Sequence, residues 1–269
     1  MFAKTGVKLT DISFCDYRCD LNTILLFDKE QIHSGDELSF CLKMSGNSDE
    51  RFLHLRDHLK IKNGDQLQVS VVNRGAGTAT VHELTNESCL LKVSSLKTVV
   101  SAEIKLILAA ARPPTMKKIM EHGTTMGITH FEIIRADLSE KSFLDSKIMQ
   151  PEESSKFLKL GLAQARGRYQ MPTVAVSPRT YRPSALPKEN EEQRFFLDLR
   201  ATRTFLQQSL NFEKPITLAI GPERGWSENE RKAFLEAGFQ PVLLSRVPLR
   251  VEHAVFSSLA QLELLSFPL

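Results

Sequence analysis

The sequence is poor in cysteine, with only Cys15, Cys19, Cys41 and Cys89 among 269 residues and no C-x-x-C pair. Four scattered thiols make neither a disulfide framework nor a cysteine-built zinc site, and they read as free thiols of a reducing cytoplasm. No apolar run approaches the ~18 residues of a membrane helix, and Met1 to Asp20 lack the continuous apolar core of a secretory signal. Neither charge sign dominates: 35 Lys and Arg face 32 Asp and Glu, a net charge of +3. That balance does not by itself indicate nucleic acid, so any basic surface must be local. G-x-G-x-x-G, a Walker loop, G-x-S-x-G and H-E-x-x-H are all missing. Dinucleotide, triphosphate and hydrolase readings are therefore unsupported. His54 and His58 have the i, i+4 spacing of two ligands on one helix face, but no third ligand accompanies them, so no metal site is expected. What is present is ordinary for a globular chain: 42% hydrophobic and 25% charged residues, enough for one large domain or two modest ones.

The two halves differ in pattern. From Asn22 to Val93, short apolar runs alternate with turn signals such as Asn63-Gly64-Asp65 and Gly75-Ala76-Gly77. This predicts small antiparallel β structure, a barrel, with one short helix around Asp49 to Leu59. From Ala102 onward strands and helices alternate. Ile104–Ala110, His130–Ile134, Thr173–Val176, Phe195–Leu199, Ile216–Ile220 and Pro241–Leu244 read as strands. Helices are expected after Pro113-Pro114, after Pro151, after Ser227 and from Glu252 to Leu265. Ser227 to Glu230 is a capping box. This alternation implies a mostly parallel sheet covered on both sides. The junction between the halves falls near Ser94 to Ser101.

In open α/β sheets ligands bind beyond the carboxyl ends of strands. Three turns occupy such ends: Gly221-Pro222-Glu223-Arg224-Gly225, Ser245 to His253, and Leu197-Asp198-Leu199. The first combines close backbone approach at two glycines with a proline-stiffened turn; the second ends in Arg250-x-Glu252-His253 at a helix start. The first also reads as a plain strand–helix connection, and the second as a capped helix with a surface ion pair. A local basic stretch runs from Ser154 to Lys188, which has no acid but holds Lys156, Lys159, Arg166, Arg168, Arg179, Arg182 and Lys188 with Tyr169 and Tyr181. Cations interleaved with aromatics suit single-stranded RNA; the alternative is a solvated face.

Three segments carry a resemblance: ITLAIGPERGWS at 216–227, GFQPVLLS at 238–245 and PLRVEHA at 248–254. They are similar to the RsmE family pattern, roughly G-P-E-G-G-[FW]-[ST] followed by L-G-x-x-[IP]-L-R-x-E-T-A. Upstream, Glu140-Lys141-Ser142, Gly161 to Arg166 followed by Pro172, and His54-Leu55, Leu59-Lys60 and Gly64-Asp65 resemble further family signatures in the same order. The resemblance covers about Leu21 to Leu265. It implies an α/β SPOUT domain with a C-terminal deep trefoil knot over 102–269, preceded by a small PUA-like β-barrel RNA-binding domain over 21–96. It implies S-adenosylmethionine-dependent methylation of N3 of a uridine in the 16S rRNA of the small ribosomal subunit, by a cytoplasmic homodimer without membrane contact.

By the same resemblance, S-adenosylmethionine is expected against Leu199, Gly221, Pro222, Glu223, Arg224, Gly225, Leu244, Ser245, Pro248, Leu249 and Arg250. Arg250, Glu252 and Arg166 are the expected catalytic groups. Lys60, Lys141, Arg166, Arg168 and Tyr169 are the expected RNA contacts. Positioned cations would favour the anionic uracil ring, and Glu252 would orient Arg250 or accept the N3 proton. Three positions depart from the pattern: Arg224 and Ser245 replace glycines, and His253 replaces a threonine. Either they point away and activity survives, or cofactor affinity or target is altered. The alternatives are a SPOUT methyltransferase on another RNA and a non-catalytic RNA-binding paralogue. Residues 1–20 read as an extension, since Leu21 to Phe27 resembles the start of one family branch; either translation starts at Leu21 or the extension is lineage-specific.

Overall fold

The computed structural model describes residues 23–34, 37–43, 49–98, 103–180 and 192–267. The expected 1–20 extension, Cys15, Cys19, Tyr181, Arg182 and Lys188 lie outside them.

The first half is built on six strands: β1 (Ile24–Leu26), β2 (Gln31–Ser34), β3 (Glu37–Lys43), β4 (Gln66–Val71), β5 (Gly75–Leu84) and β6 (Ser88–Lys97). Their order is β1-β4-β5-β6-β3-β2. The ladders are antiparallel except β1–β4, which is parallel, so the sheet is mixed rather than purely antiparallel. No ladder joins β1 to β2 among the described residues, leaving a half-barrel in place of the expected closed barrel. Helix α1 (Glu50–Leu53) runs into a single π turn at His54–His58. Its Phe52 and Leu55 fill the core with Leu26, Phe40, Leu42, Val71, Val81 and Leu91. Asp49 caps α1 by accepting the Arg51 N–H at 3.0 Å, and with Glu30 it clamps the Arg51 guanidinium.

The second half is a six-stranded parallel sheet of β7 (Ile104–Ala109), β8 (Ile128–Arg135), β9 (Thr173–Thr180), β10 (Gln193–Leu197), β11 (Ile216–Ile220) and β12 (Gln240–Val242). The order is β12-β10-β11-β7-β8-β9. All five ladders are parallel. Strands buried on both faces explain the nearly continuous apolar runs. On one face Leu106, Leu108, Phe131, Ile133 and Leu218 meet α2 (Pro113–Thr125), α3 (Pro151–Gln164) and α5 (Val251–Ser266). On the other, Ile107, Ala109, Ile134, Phe196 and Ala219 meet Trp226 and Phe234, the latter on α4 (Glu228–Glu236). That second face is apolar only toward the carboxyl ends. Toward the amino ends it carries polar pairs: Lys105 with Glu132 at 3.0 Å, His130 with Thr173 at 2.5 Å, and Thr217 with Glu192 at 2.8 Å. The sheet is thus covered on both sides as expected, with a polar strip at the amino ends of the second face.

The halves are joined by hydrogen bonds. Asn73 donates its N–H to the Tyr169 carbonyl at 2.8 Å, and its side-chain oxygen accepts from Met171 N–H at 2.9 Å. The Ser70 hydroxyl donates to the Arg168 carbonyl at 2.7 Å. Leu25 and Val72 pack on Leu162 beneath these bonds.

Candidate functional site

Strand β11 lies between β7 and β10, the point at which the strand order reverses. Such a switch opens a crevice beyond the carboxyl ends. There the turns after β10, β11 and β12 enclose a cavity of about 410 Å³. Leu199, Gly221 to Gly225, Leu244, Ser245, Pro248 and Leu249 all line it, so ten of the eleven expected cofactor residues converge; Arg250 does not. The volume suits a ligand the size of a nucleoside derivative.

Local chemistry shapes each wall. Gly225 has φ +73°, a left-handed backbone that favours glycine, and its N–H closes the turn onto the Pro222 carbonyl at 2.8 Å. A side-chain carbon on Gly221 would sit 3.2 Å from the Trp226 indole, so glycine lets the loop fold against that ring. The indole N–H of Trp226 is buried without an acceptor among the described residues. The backbone N–H groups of Leu199, Leu244 and Leu249 likewise donate no hydrogen bond among the described residues. Apolar walls with unspent backbone donors are a setting for a planar heterocycle.

Arg250 opens onto a neighbouring cleft of about 790 Å³. Arg112, Asp137, Glu140, Glu223, Arg224 and Glu252 also line it. Glu223, Arg224 and Val251 belong to both spaces, so they form the partition. Arg250 and Glu252 make no ion pair with each other, and neither side chain has a hydrogen-bond partner among the described residues. Arg112 and Asp137 escaped the sequence reading. They follow β7 and β8, and the strand-end rule applied to every strand would have found them.

Glu230 ties the two spaces together. It completes the expected capping box on α4: its N–H bonds the Ser227 hydroxyl at 3.2 Å, and its carboxylate accepts from Ser227 N–H at 2.9 Å. The other carboxylate oxygen accepts from Asp137 N–H at 2.9 Å. Burial holds the carboxyl above the usual range, against the pull of these donors. Asp198, after β10, is held by Arg231 of α4 at 2.5 Å.

The remaining expected RNA contacts are dispersed. Lys141 is exposed and directly follows Glu140, which lines the charged cleft. Lys60 lies on the half-barrel with φ +50°. Arg166, Arg168 and Tyr169 line a different cleft with Ile104, Ile128 and Ile216, the first residues of their strands. They are therefore at the opposite edge of the sheet from Arg250. Within one chain Arg166 and Arg250 therefore line separate clefts. The Arg168 guanidinium packs over Gly127, where an added side-chain carbon would approach it to 2.5 Å, and burial lowers its pKa. Lys156 is paired with Glu153 at 2.7 Å, and Lys159 lies 5.5 Å from the Phe27 ring. The acid-free stretch thus forms no single basic face among the described residues. The His54 and His58 rings stand 5.6 Å apart, and no group of three potential metal ligands occurs among the described residues.

Residues 99–263 match the family model described as an RNA methyltransferase domain. The chain is 29% identical over 245 residues to ribosomal RNA small subunit methyltransferase E of Treponema pallidum, covering 89% of this chain and 90% of that protein. It is 32% identical over 145 residues to the protein of the same name from Aquifex aeolicus, covering 53% of this chain and 60% of that one. Among solved structures, ribosomal RNA small subunit methyltransferase E from Neisseria gonorrhoeae, bound to S-adenosyl methionine, superposes with a TM-score of 0.71 at 18% identity, covering 90% of this chain and 98% of that one. A Legionella pneumophila methyltransferase with bound SAM gives 0.67 at 20% identity, covering 90% and 98%. The chain belongs to the RNA methyltransferase family, within its small-subunit methyltransferase E (RsmE) branch.

Proposed function

We propose that this protein methylates small-subunit ribosomal RNA with S-adenosylmethionine as donor, at N3 of a uridine in 16S rRNA. The observation that carries this reading is the pair of adjoining spaces: a walled cavity with unspent backbone donors, and beside it a charged cleft. Arg224 and Ser245 leave the cavity open, which favours a catalyst over a paralogue that has lost its donor site.

S-adenosylmethionine supplies an activated methyl group on a sulfonium sulfur. Leu199, Leu244 and Leu249 would hold its adenine through their backbone, with the Gly221 to Gly225 turn along the rest. In the cleft, Arg250 would face the uracil ring and favour its anionic form, and Glu252 would take the N3 proton. The partition between the spaces holds the two reacting partners at a fixed approach.

The reading extends to architecture. The first half would be a PUA-like RNA-binding domain. A trefoil knot would arise where the chain after β12 passes the β10–β11 connection: Leu243 N–H bonds the Arg203 carbonyl at 2.8 Å, and α5 packs Val255 and Leu259 with Phe205 of that connection. A second copy would cover Leu206, Val247, Leu264 and Phe267, each more than half exposed. Only across such a dimer would Arg166 approach a reaction centre. No described helix is long and apolar enough to cross a membrane, and a ribosomal substrate would put the work in the cytoplasm.

The test is transfer. The protein is incubated with S-adenosylmethionine and small subunits from a strain lacking the modification, and digested RNA is analysed by mass spectrometry. 3-Methyluridine is expected; a different methylated nucleoside would relocate the target atom, and binding of the donor without transfer would exclude this substrate.

A further inference from the structure

Some arginines in the parallel-sheet half are held in ion pairs. Arg194 pairs with Glu192, Arg200 with Glu228 and Arg231 with Asp198. Three that line the cleft are not: Arg112, Arg224 and Arg250 are exposed and make no ion pair or side-chain hydrogen bond among the described residues. Four carboxylates share the cleft. Asp137 is engaged by the Ser227 hydroxyl at 2.6 Å, whereas Glu140, Glu223 and Glu252 are not engaged among the described residues. Cations and acceptors alternating around one space complement a ribonucleotide, with phosphates for the first and hydroxyl or imino donors for the second.

Arg224 differs from the other two. It stands in the partition, touching both cavity and cleft, one residue before Gly225. The loop does not need glycine there. Gly225 takes the left-handed backbone, and Arg224 is not among the positive-φ residues. A long cationic side chain is therefore accommodated without backbone strain at the junction of donor and acceptor spaces.

We infer that Arg224 is an RNA-positioning residue of this enzyme, binding a phosphate beside the target nucleotide with Arg112 as a second cation in the same cleft. The inference rests on the methyltransferase reading for its meaning, but its binding test does not. Arg224 gives the chain an electrostatic grip on the strand that a glycine at this position would not supply.

The test compares Arg224→Gly, Arg224→Lys and wild type, with Lys232→Ala as a control for bulk charge. Binding of a fluorescein-labelled oligouridylate is measured across a salt series, and S-adenosylhomocysteine binding is measured by calorimetry. Arg224→Gly should weaken RNA binding about tenfold, as expected for a charged hydrogen bond. It should also flatten the log–log salt slope by about 0.7, the loss of one single-strand phosphate contact. Arg224→Lys should fall between, because an ammonium keeps the charge without the bidentate fork. The fall in RNA affinity should exceed any change in S-adenosylhomocysteine affinity. Unchanged RNA affinity and slope would overturn the inference, as would a loss confined to S-adenosylhomocysteine. Transfer to small subunits is read in parallel. A wild type that grips RNA through Arg224 yet transfers no methyl group sustains this inference and defeats the enzyme reading. Transfer with equal RNA affinity in Arg224→Gly does the reverse.

Discussion

The hydroxyl of Ser227 donates to the Asp137 carboxylate at 2.6 Å across 90 positions of sequence. Ser227 follows the turn that walls the cofactor cavity, and Asp137 lies in the cleft beside it. One hydroxyl thus caps α4 and ties the cavity to the cleft beside it.

Ser227→Ala removes both functions. The cap alone is worth about 1 kcal/mol. Thermal unfolding should begin ~2–4 °C lower for a chain of this size. Ser227→Thr keeps the hydroxyl and should recover most of the loss. Equal melting of the alanine variant and wild type would show the cap to be idle.

Two glycines of the same loop should fail differently. Gly221→Ala places a carbon 3.2 Å from the Trp226 indole, which must shift into the cavity wall. Overpacking of that kind costs about 1–3 kcal/mol, so donor affinity should fall about tenfold. Gly225→Ala meets nothing within 4 Å but is held at φ +73°. Its cost is backbone strain of about 1 kcal/mol, which should appear in the melting temperature. Calorimetry and thermal scans on the two variants separate these effects.

Arg250→Ala tests the division of labour. Arg250 lines the cleft and not the cavity, so S-adenosylmethionine affinity should hold while single-turnover transfer falls by about 100-fold, the scale of one lost electrostatic donor. Weakened donor binding with unaltered transfer would move Arg250 to the other side of the partition.

Much of this was legible from residues. The three strand-end turns did converge because parallel strands bring their carboxyl ends to one edge, whatever the length of chain between them. The capping box at Ser227 formed because its signature is local. The location of Arg166 was not legible for the opposite reason: motif order along the chain carries no information about which sheet edge a segment reaches, and the helix that precedes Arg166 returns the chain to the amino edge. Arg168 illustrates a second blind spot. Its guanidinium packs over Gly127 at the rim of a cleft, a contact that composition does not reveal. The half-barrel's parallel β1–β4 pair was likewise hidden, since alternation gives the buried face of a strand and not its direction.

The joint between halves makes a separate prediction. Asn73 has φ +63°, a conformation asparagine tolerates better than most residues, and its side-chain oxygen holds Met171 N–H. Asn73→Ala loses both, at about 2 kcal/mol for strain plus a stranded amide. Asn73→Gly relieves the strain alone and should cost about half as much. Both should weaken RNA binding by loosening the half-barrel. Donor affinity should not change, because the joint lies away from the cavity; a matching loss of donor binding would mean that the halves are coupled more widely.

His130 gives the pH dependence. Its imidazole is partly buried near Lys105, and burial first, then that charge, lowers its pKa against the opposing pull of Glu132. Its Nδ1 stands 2.5 Å from the Thr173 hydroxyl. The unfolded chain therefore takes up the proton before the folded one. The stabilising contribution is complete above the ordinary imidazole value of about 6.5 and is lost as pH falls through it toward the lower folded value. Urea midpoints of wild type should drop between neutral and mildly acidic pH by more than those of His130→Gln, which keeps a hydrogen-bonding side chain but cannot titrate. The imidazole proton resonance supplies the direct check. A midpoint below that of a free histidine is expected, and one above it would mean that Glu132 rather than burial governs this row of the sheet.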